Sequence, residues 1–263
     1  MGTERKRIDV LLAERGVFAS RSAARAAIMA GLVYVGGQKT DKPGTPVSED
    51  AEIEVRELPR FVSRGGLKLE KAIHQFAVDV AGRVVLDVGA STGGFTDCLL
   101  QHGAARVYSV DVGYGQLDWR LRQDERVVSM ERTNIRHLSA DAFSEPPDFA
   151  SVDVSFISLE LVLPVLKKLG VAEVITLVKP QFEVGKGRVG KKGVVRDTGD
   201  HLEVLEKIAA AAGATGYSVA GAAYSPIQGP EGNIEYLLHL KTGTGEGAVD
   251  FASVVSAAHR ELS

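Results

Sequence analysis

Along the first part of the chain, apolar residues arrive in short, punctuated groups. Ile8, Val10, Leu11 and Leu12 start a helical face that Gly16 stops, and Ser20 is placed to cap a second helix over Arg21 to Ala30, which Gly31 stops in turn. The run Leu32 to Val35, followed by Gly36-Gly37, predicts a strand and a tight turn, and the alternation in Ala51 to Val55 predicts a partner strand. Pro59 then interrupts regular structure, and Gly65-Gly66 invites a bend. Beyond it the pattern changes. Helical stretches alternate with apolar runs at Val84 to Val88, Val107 to Val110, Phe149 to Val154, Val174 to Val178 and Ile234 to Leu240, the pattern of a doubly wound α/β sheet. A final helix is expected where Phe251, Val254, Val255 and Ala258 share one face. The reading is therefore a small α+β module over residues 1–56, a linker over 57–66 and an α/β body over 67–263.

Composition agrees with a folded protein. The chain has 263 residues, 44% of them hydrophobic, enough to bury a substantial core. Its one cysteine, Cys98, excludes an internal disulfide framework and is expected in the core. No apolar run approaches the roughly 20 residues a bilayer demands, and the N-terminal stretch lacks the pattern of a signal peptide, so the expected location is the cytoplasm. The net charge of −3 hides an asymmetry: residues 1–71 hold 13 Lys/Arg against 10 Asp/Glu, and the rest 18 against 24. The six histidines, at 74, 102, 137, 201, 239 and 259, show no metal-ligand spacing, so no metal is expected.

Candidate chemistry concentrates in the body. In "VVLDVGASTGGFTDCLL", Asp87 ends a strand and Gly89, Gly93 and Gly94 lie in the turn that enters a helix, with Ser91, Thr92 and Phe95 among them. Such a turn lets the backbone approach a nucleoside cofactor at the carboxyl edge of a parallel sheet. Asp111 ends the next strand, where a carboxylate can accept hydrogen bonds from ribose hydroxyls, and Thr133 or Asn134 would then lie near the base. The segment "GKGRVGKKG", residues 185–193, satisfies two phosphate-loop patterns. It fails as a P-loop because Lys192 stands where Ser or Thr must bind magnesium, and no helical pattern follows it. Its Lys186 and Arg188 read either as a basic loop that closes over RNA phosphates or as an ordinary loop.

Two resemblances sharpen this reading. The stretch "RIDVLLAERGVFASRSAARAAIMAGLVYVGGQKTDKPGTPV" resembles the S4-type RNA-binding domain, which implies RNA contacts for Arg5, Arg7, Arg21, Arg25 and Lys39. Arg64, in the linker, joins this set. The glycine turn resembles motif I of Rossmann-like S-adenosylmethionine methyltransferases. Lys68, Asp153, Lys179 and Glu235 are similar in order and context to the Lys-Asp-Lys-Glu tetrad of FtsJ-type ribose methyltransferases. With "SRGGLKLEKA", "VDVSFISL", "LVKPQFE" and "GNIEYLL", the chain is similar nearly end to end to the TlyA family. That resemblance implies cytidine 2′-O-methylation of ribosomal RNA within ribosomal subunits, on the large one and, in longer members of the family, also the small one, with S-adenosylmethionine as cofactor. The alternatives are a non-catalytic ribosome-assembly factor and a membrane-active hemolysin, a name given to relatives of the family.

Overall fold

The structure is a computed structural model that describes residues 5–56, 59–185, 187–243 and 249–262. The chain divides into two compact units, Met1–Arg60 and Phe61–Ser263.

The first unit contains β1 (Arg5–Arg7), α1 (Ile8–Glu14), α2 (Arg21–Met29), β2 (Val33–Val35), β3 (Gln38–Thr40), β4 (Pro46–Ser48) and β5 (Ile53–Val55). Strands β1 and β4 pair antiparallel, and β2 pairs antiparallel with both β3 and β5. Local chemistry sets the element ends. The Ser20 hydroxyl accepts a hydrogen bond from the Ala23 amide at 3.2 Å, and Gly36 and Gly37 both adopt positive φ, as a two-residue hairpin turn requires. The core is small: Ile8, Leu11, Leu12, Ala24, Ala27, Ile28, Val33 and Val47.

The second unit contains α3 (Gly65–Gln75), β6 (Val84–Val88), α4 (Gly94–Gln101), β7 (Arg106–Val110), α5 (Trp119–Arg122), β8 (Val127–Met130), β9 (Phe149–Val152), α6 (Leu159–Lys168), β10 (Glu173–Val178), α7 (Pro180–Glu183), α8 (Thr198–Ala214), β11 (Tyr217–Tyr224), β12 (Tyr236–Thr242) and α9 (Phe251–Leu262). The seven-stranded sheet runs β11-β12-β10-β9-β6-β7-β8. Its five strands from β10 to β8 are parallel, and β12 enters antiparallel between β10 and β11. Strand periodicity builds two apolar layers: Val85 belongs to the core on the side of Leu69 of α3 and Leu99 of α4, whereas neighbouring Leu86 belongs to the core that holds Leu163 of α6 and Leu205 of α8. With both faces covered, the carboxyl ends of the parallel strands are left to form a site.

Several elements differ from the sequence pattern. Strand β11 was not expected, because "YSVAGAAY" is rich in small residues with weak strand preference. The expected strand from Ile234 begins at Tyr236, and the one from Phe149 stops at Val152. Gly65-Gly66 opens α3 instead of making a bend. A β-carbon on Gly66 would run into the Phe61 ring, and Phe61 is itself buried in the second unit's core, so these glycines serve close packing. A helix, α8, does follow the 185–193 segment, capped by Asp197, whose carboxylate accepts from the Asp200 amide at 3.1 Å.

Candidate active site

The glycine turn connects β6 to α4 at the carboxyl edge of the sheet. Gly89 has φ +86°, and a β-carbon there would overlap the carbonyl oxygen of Asp153, so only glycine lets β6 and β9 end this close together. Ser91 also takes a left-handed backbone (φ +48°), held by its amide, which donates to Asp111 Oδ2 at 2.8 Å. The other two glycines play a different part from the one the sequence suggests. A β-carbon on Gly93 would meet Leu117 and Leu121, and one on Gly94 would meet Ser63 Oγ, so both make room for protein packing, and Gly94 also lines the smaller of the site's two cavities.

Asp87 likewise lies beneath the turn. Its carboxylate is fully buried and accepts hydrogen bonds from Thr96 Oγ1 at 2.6 Å and Ser151 Oγ at 2.8 Å. Burial pushes its pKa up to about 6 against the pull of these two hydroxyls, and the nearby Asp153 charge adds to the rise. It lines neither cavity of the site.

Those two cavities meet at Gly89, Ser91 and Asp153. The first, about 450 Å³, is lined by Asp111, Gln116, Thr133, Asn134, Ile135 and Phe156 among others. Asp111 is braced by the amides of Ser91 and Gly113, the latter at 2.7 Å, and keeps lone pairs for a diol. The second, about 300 Å³, brings together Arg64, Lys68, Thr92, Phe95, Lys179 and Glu235. The four expected tetrad residues thus converge from α3, the end of β9, the end of β10 and the start of β12, as two ion pairs. Lys68 Nζ lies 2.5 Å from Glu235 Oε2, both buried, and Lys179 Nζ lies 2.6 Å from Asp153 Oδ1 and 3.0 Å from Ser155 Oγ. Glu235 Oε1 is buried without a hydrogen-bond partner among the described residues, and it sits so close to Gly229 that a β-carbon there would strike it. A cavity lined by an unsatisfied acceptor and two lysines can take up a hydroxyl donor.

One residue escaped the sequence reading. Phe156 is 90% exposed, adopts φ +64°, lines the first cavity and lies 4.8 Å from the Phe182 ring. A large apolar side chain held in a strained backbone at the mouth of a site indicates function. The only sequence signal was its place directly after Asp153-Val154-Ser155.

The cations expected to meet RNA differ in what holds them. Arg5, Arg25 and Lys39 are exposed on the first unit. Arg7 and Arg21 are half-exposed and both anchored to the buried Asp9, at 3.0 and 2.9 Å; these bonds, Arg7's first, hold the Asp9 pKa down at about 2. Arg188 is committed to Asp200 and to Glu203, the latter at 2.7 Å, so it is not a loose cation for phosphate. Lys186 lies outside the described residues.

Comparison with known proteins identifies the two domains and the family. The FtsJ-like methyltransferase family model matches residues 61–242, and the S4 domain model matches residues 6–53. The Bacillus subtilis (strain 168) protein YqxC is 51% identical over 100% of this chain and 97% of its own length. The 16S/23S rRNA (cytidine-2′-O)-methyltransferase TlyA of Mycobacterium tuberculosis (strain CDC 1551 / Oshkosh) is 46% identical over 98% of each chain. A solved structure from Streptococcus thermophilus, named as a hemolysin, superposes with a TM-score of 0.74 at 46% identity, covering 99% of this chain and 98% of that one. Fold and site together define an S-adenosylmethionine-dependent methyltransferase that carries an RNA-binding S4 domain. The chain belongs to the TlyA family of FtsJ-like methyltransferases. No helix among the described residues is long and apolar enough to cross a membrane.

Proposed function

We propose that the chain methylates the 2′-hydroxyl of a cytidine in ribosomal RNA, working on ribosomal subunits in the cytoplasm. The observation that carries this reading is the pairing of Lys68 with Glu235 and Lys179 with Asp153 around one cavity that opens into a nucleoside-sized cavity. Relatives named 16S/23S and 23S rRNA (cytidine-2′-O)-methyltransferase support the large subunit as substrate and the small subunit as a second one.

The residues fit S-adenosylmethionine: Asp111, in the first cavity, would hold the ribose diol, Thr133 and Asn134 would lie beside the base, and the turn from Gly89 to Thr92 would border the amino-acid portion. The cofactor supplies a methyl group made electrophilic by its sulfonium. Lys179 Nζ, fixed between Asp153 and Ser155, hydrogen-bonds the ribose oxygen and stabilises the negative charge that builds as the hydroxyl loses its proton. That proton leaves through the Asp153 carboxylate. Lys68 and Glu235 hold the nucleotide in line, with Glu235 Oε1 accepting from the sugar. Phe156 offers its face to the target base, since an exposed aromatic gives an unstacked base a surface to rest on. On the first unit, Arg5, Arg25 and Lys39, with Arg7 and Arg21 oriented by Asp9, bind RNA phosphates, and Arg64 lies at the pocket.

The test is to incubate the purified protein with methyl-labelled S-adenosylmethionine and unmodified ribosomal subunits, then digest the RNA to nucleosides. Label in 2′-O-methylcytidine is the expected result. Label on a base, on another nucleoside, or absent from RNA overturns the proposal.

A further inference from the structure

A second constellation of ligand-type side chains lies apart from both cavities. Glu70 and His74 stand one turn apart on α3, and His102 caps the C-terminal end of α4, which packs beside it. Each offers one ligand atom, and the three atoms lie within 4.8 Å of one another. His74 Nε2 is 3.9 Å from Glu70 Oε1, and the two imidazoles meet edge-on with centroids 5.6 Å apart.

The tautomer of His102 is fixed by its surroundings. Its Nδ1 lies 2.8 Å from the carbonyl oxygen of Cys98. A carbonyl can only accept, so Nδ1 carries the hydrogen and the ring's lone pair sits on Nε2. Metal-ligating histidines are oriented in this way, by giving their second N–H to a backbone carbonyl or carboxylate. Glu70 is held by burial, whereas the His74 side chain is 68% exposed and has room to turn. Metal–ligand bonds of about 2.1 Å in a tetrahedron place ligand atoms about 3.4 Å apart, a contraction of about 1 Å from the present spacing that side-chain adjustment, for which exposed His74 has room, has to supply.

We propose that Glu70, His74 and His102 bind a divalent transition-metal ion of the Zn²⁺ class and tie α3 to α4. Two imidazoles and one carboxylate suit Zn²⁺, whereas Mg²⁺ and Ca²⁺ favour all-oxygen shells. Three protein ligands leave a fourth position for water. None of the three residues lines the methyl-transfer cavities, yet the helices they join carry Lys68 and the end of the glycine turn. Spacing along the chain hides the site, because His102 meets the other two only through the packing of α3 on α4.

The experiment is Zn²⁺ titration calorimetry on the chelator-stripped full chain, with Co²⁺ absorption as the spectroscopic readout of ligand type. One equivalent of Zn²⁺ should bind, Mg²⁺ should not, and Co²⁺ should show ligand-field bands of a low-coordinate nitrogen–oxygen site. His74→Ala and His102→Gln should each weaken Zn²⁺ binding by about a hundredfold. His137→Ala, at an exposed histidine elsewhere, should leave it unchanged. His74 is exposed, so its variant should fold, and circular dichroism checks this directly. No stoichiometric Zn²⁺ in the wild type, wild-type affinity in folded His74→Ala, or loss in His137→Ala overturns the assignment.

Discussion

Replacing Asp87 with asparagine should stabilise the protein near neutral pH, although this carboxylate stands in the motif that surrounds the cofactor. In the folded state its pKa is raised from the ordinary value of 3.8 to about 6, chiefly by complete burial. Folded protein therefore holds the proton to higher pH than the unfolded chain. The resulting penalty is absent below about pH 4, grows between about pH 4 and 6, and is constant above that, reaching about 3 kcal/mol. Asparagine can accept from one of the two hydroxyls, Thr96 or Ser151, and donate to the other, whose own hydrogen can rotate away. Its remaining amide hydrogen is stranded at a cost of about 1 kcal/mol, leaving a net gain of about 2 kcal/mol at pH 7. Denaturant titrations of both proteins from pH 4 to 7 measure this: the wild-type curve should fall relative to that of Asp87→Asn as pH rises to 6, and then run parallel. S-adenosylmethionine affinity should stay within a few-fold, because Asp87 lines neither cavity. Parallel curves throughout, or a less stable variant at pH 7, would refute the buried-carboxylate account, and loss of cofactor binding in a stable variant would make Asp87 a direct contact after all.

The remaining predictions concern other parts of the molecule. Gly89→Ala forces a left-handed alanine against the Asp153 carbonyl, so it should destabilise the fold by about 2 kcal/mol or more in denaturant titration and lower both cofactor affinity and turnover. Asp9, held at about 2 by Arg7 and Arg21, contributes stability that is present above about pH 4 and lost as pH falls toward 2; Asp9→Asn should flatten that acid limb, followed by circular dichroism on the full chain. Phe156→Ala should leave the melting temperature nearly unchanged, given its exposure, while lowering RNA methylation at saturating S-adenosylmethionine by at least about tenfold.

Much of the architecture could be read from the chain because its signals are local. The Ser20 cap, the Gly36-Gly37 turn and the β6, β7 and β10 strands each depend on residues within a few positions of one another. The tetrad was readable through its resemblance to a known order of residues, and the fold class accounts for half of it: strand ends of a parallel sheet share one edge, so Asp153 and Lys179 at the ends of β9 and β10 meet. Directions and partners were not readable. Whether Gly93 faces a ligand or Leu117, whether Asp87 lines the pocket or lies under it, and whether Arg188 meets phosphate or Asp200 all depend on long-range packing. The same holds for His74 and His102, which are joined across two helices, and for β11, which takes its identity from pairing with β12 more than from its own residues.

Single-turnover methylation of ribosomal subunits by Lys179→Ala decides whether Lys179 stabilises charge on a ribose oxygen. The rate with wild-type protein and saturating labelled S-adenosylmethionine sets the reference. The variant should fold and bind cofactor normally, since Lys179 ends β10 at the second cavity and the first cavity remains intact. Its methyl-transfer rate should fall by roughly a hundredfold or more, with little recovery in Lys179→Arg, whose planar guanidinium cannot occupy the ammonium's position between Asp153 and Ser155. Wild-type single-turnover rates in Lys179→Ala would contradict this role and remove this lysine from the chemistry.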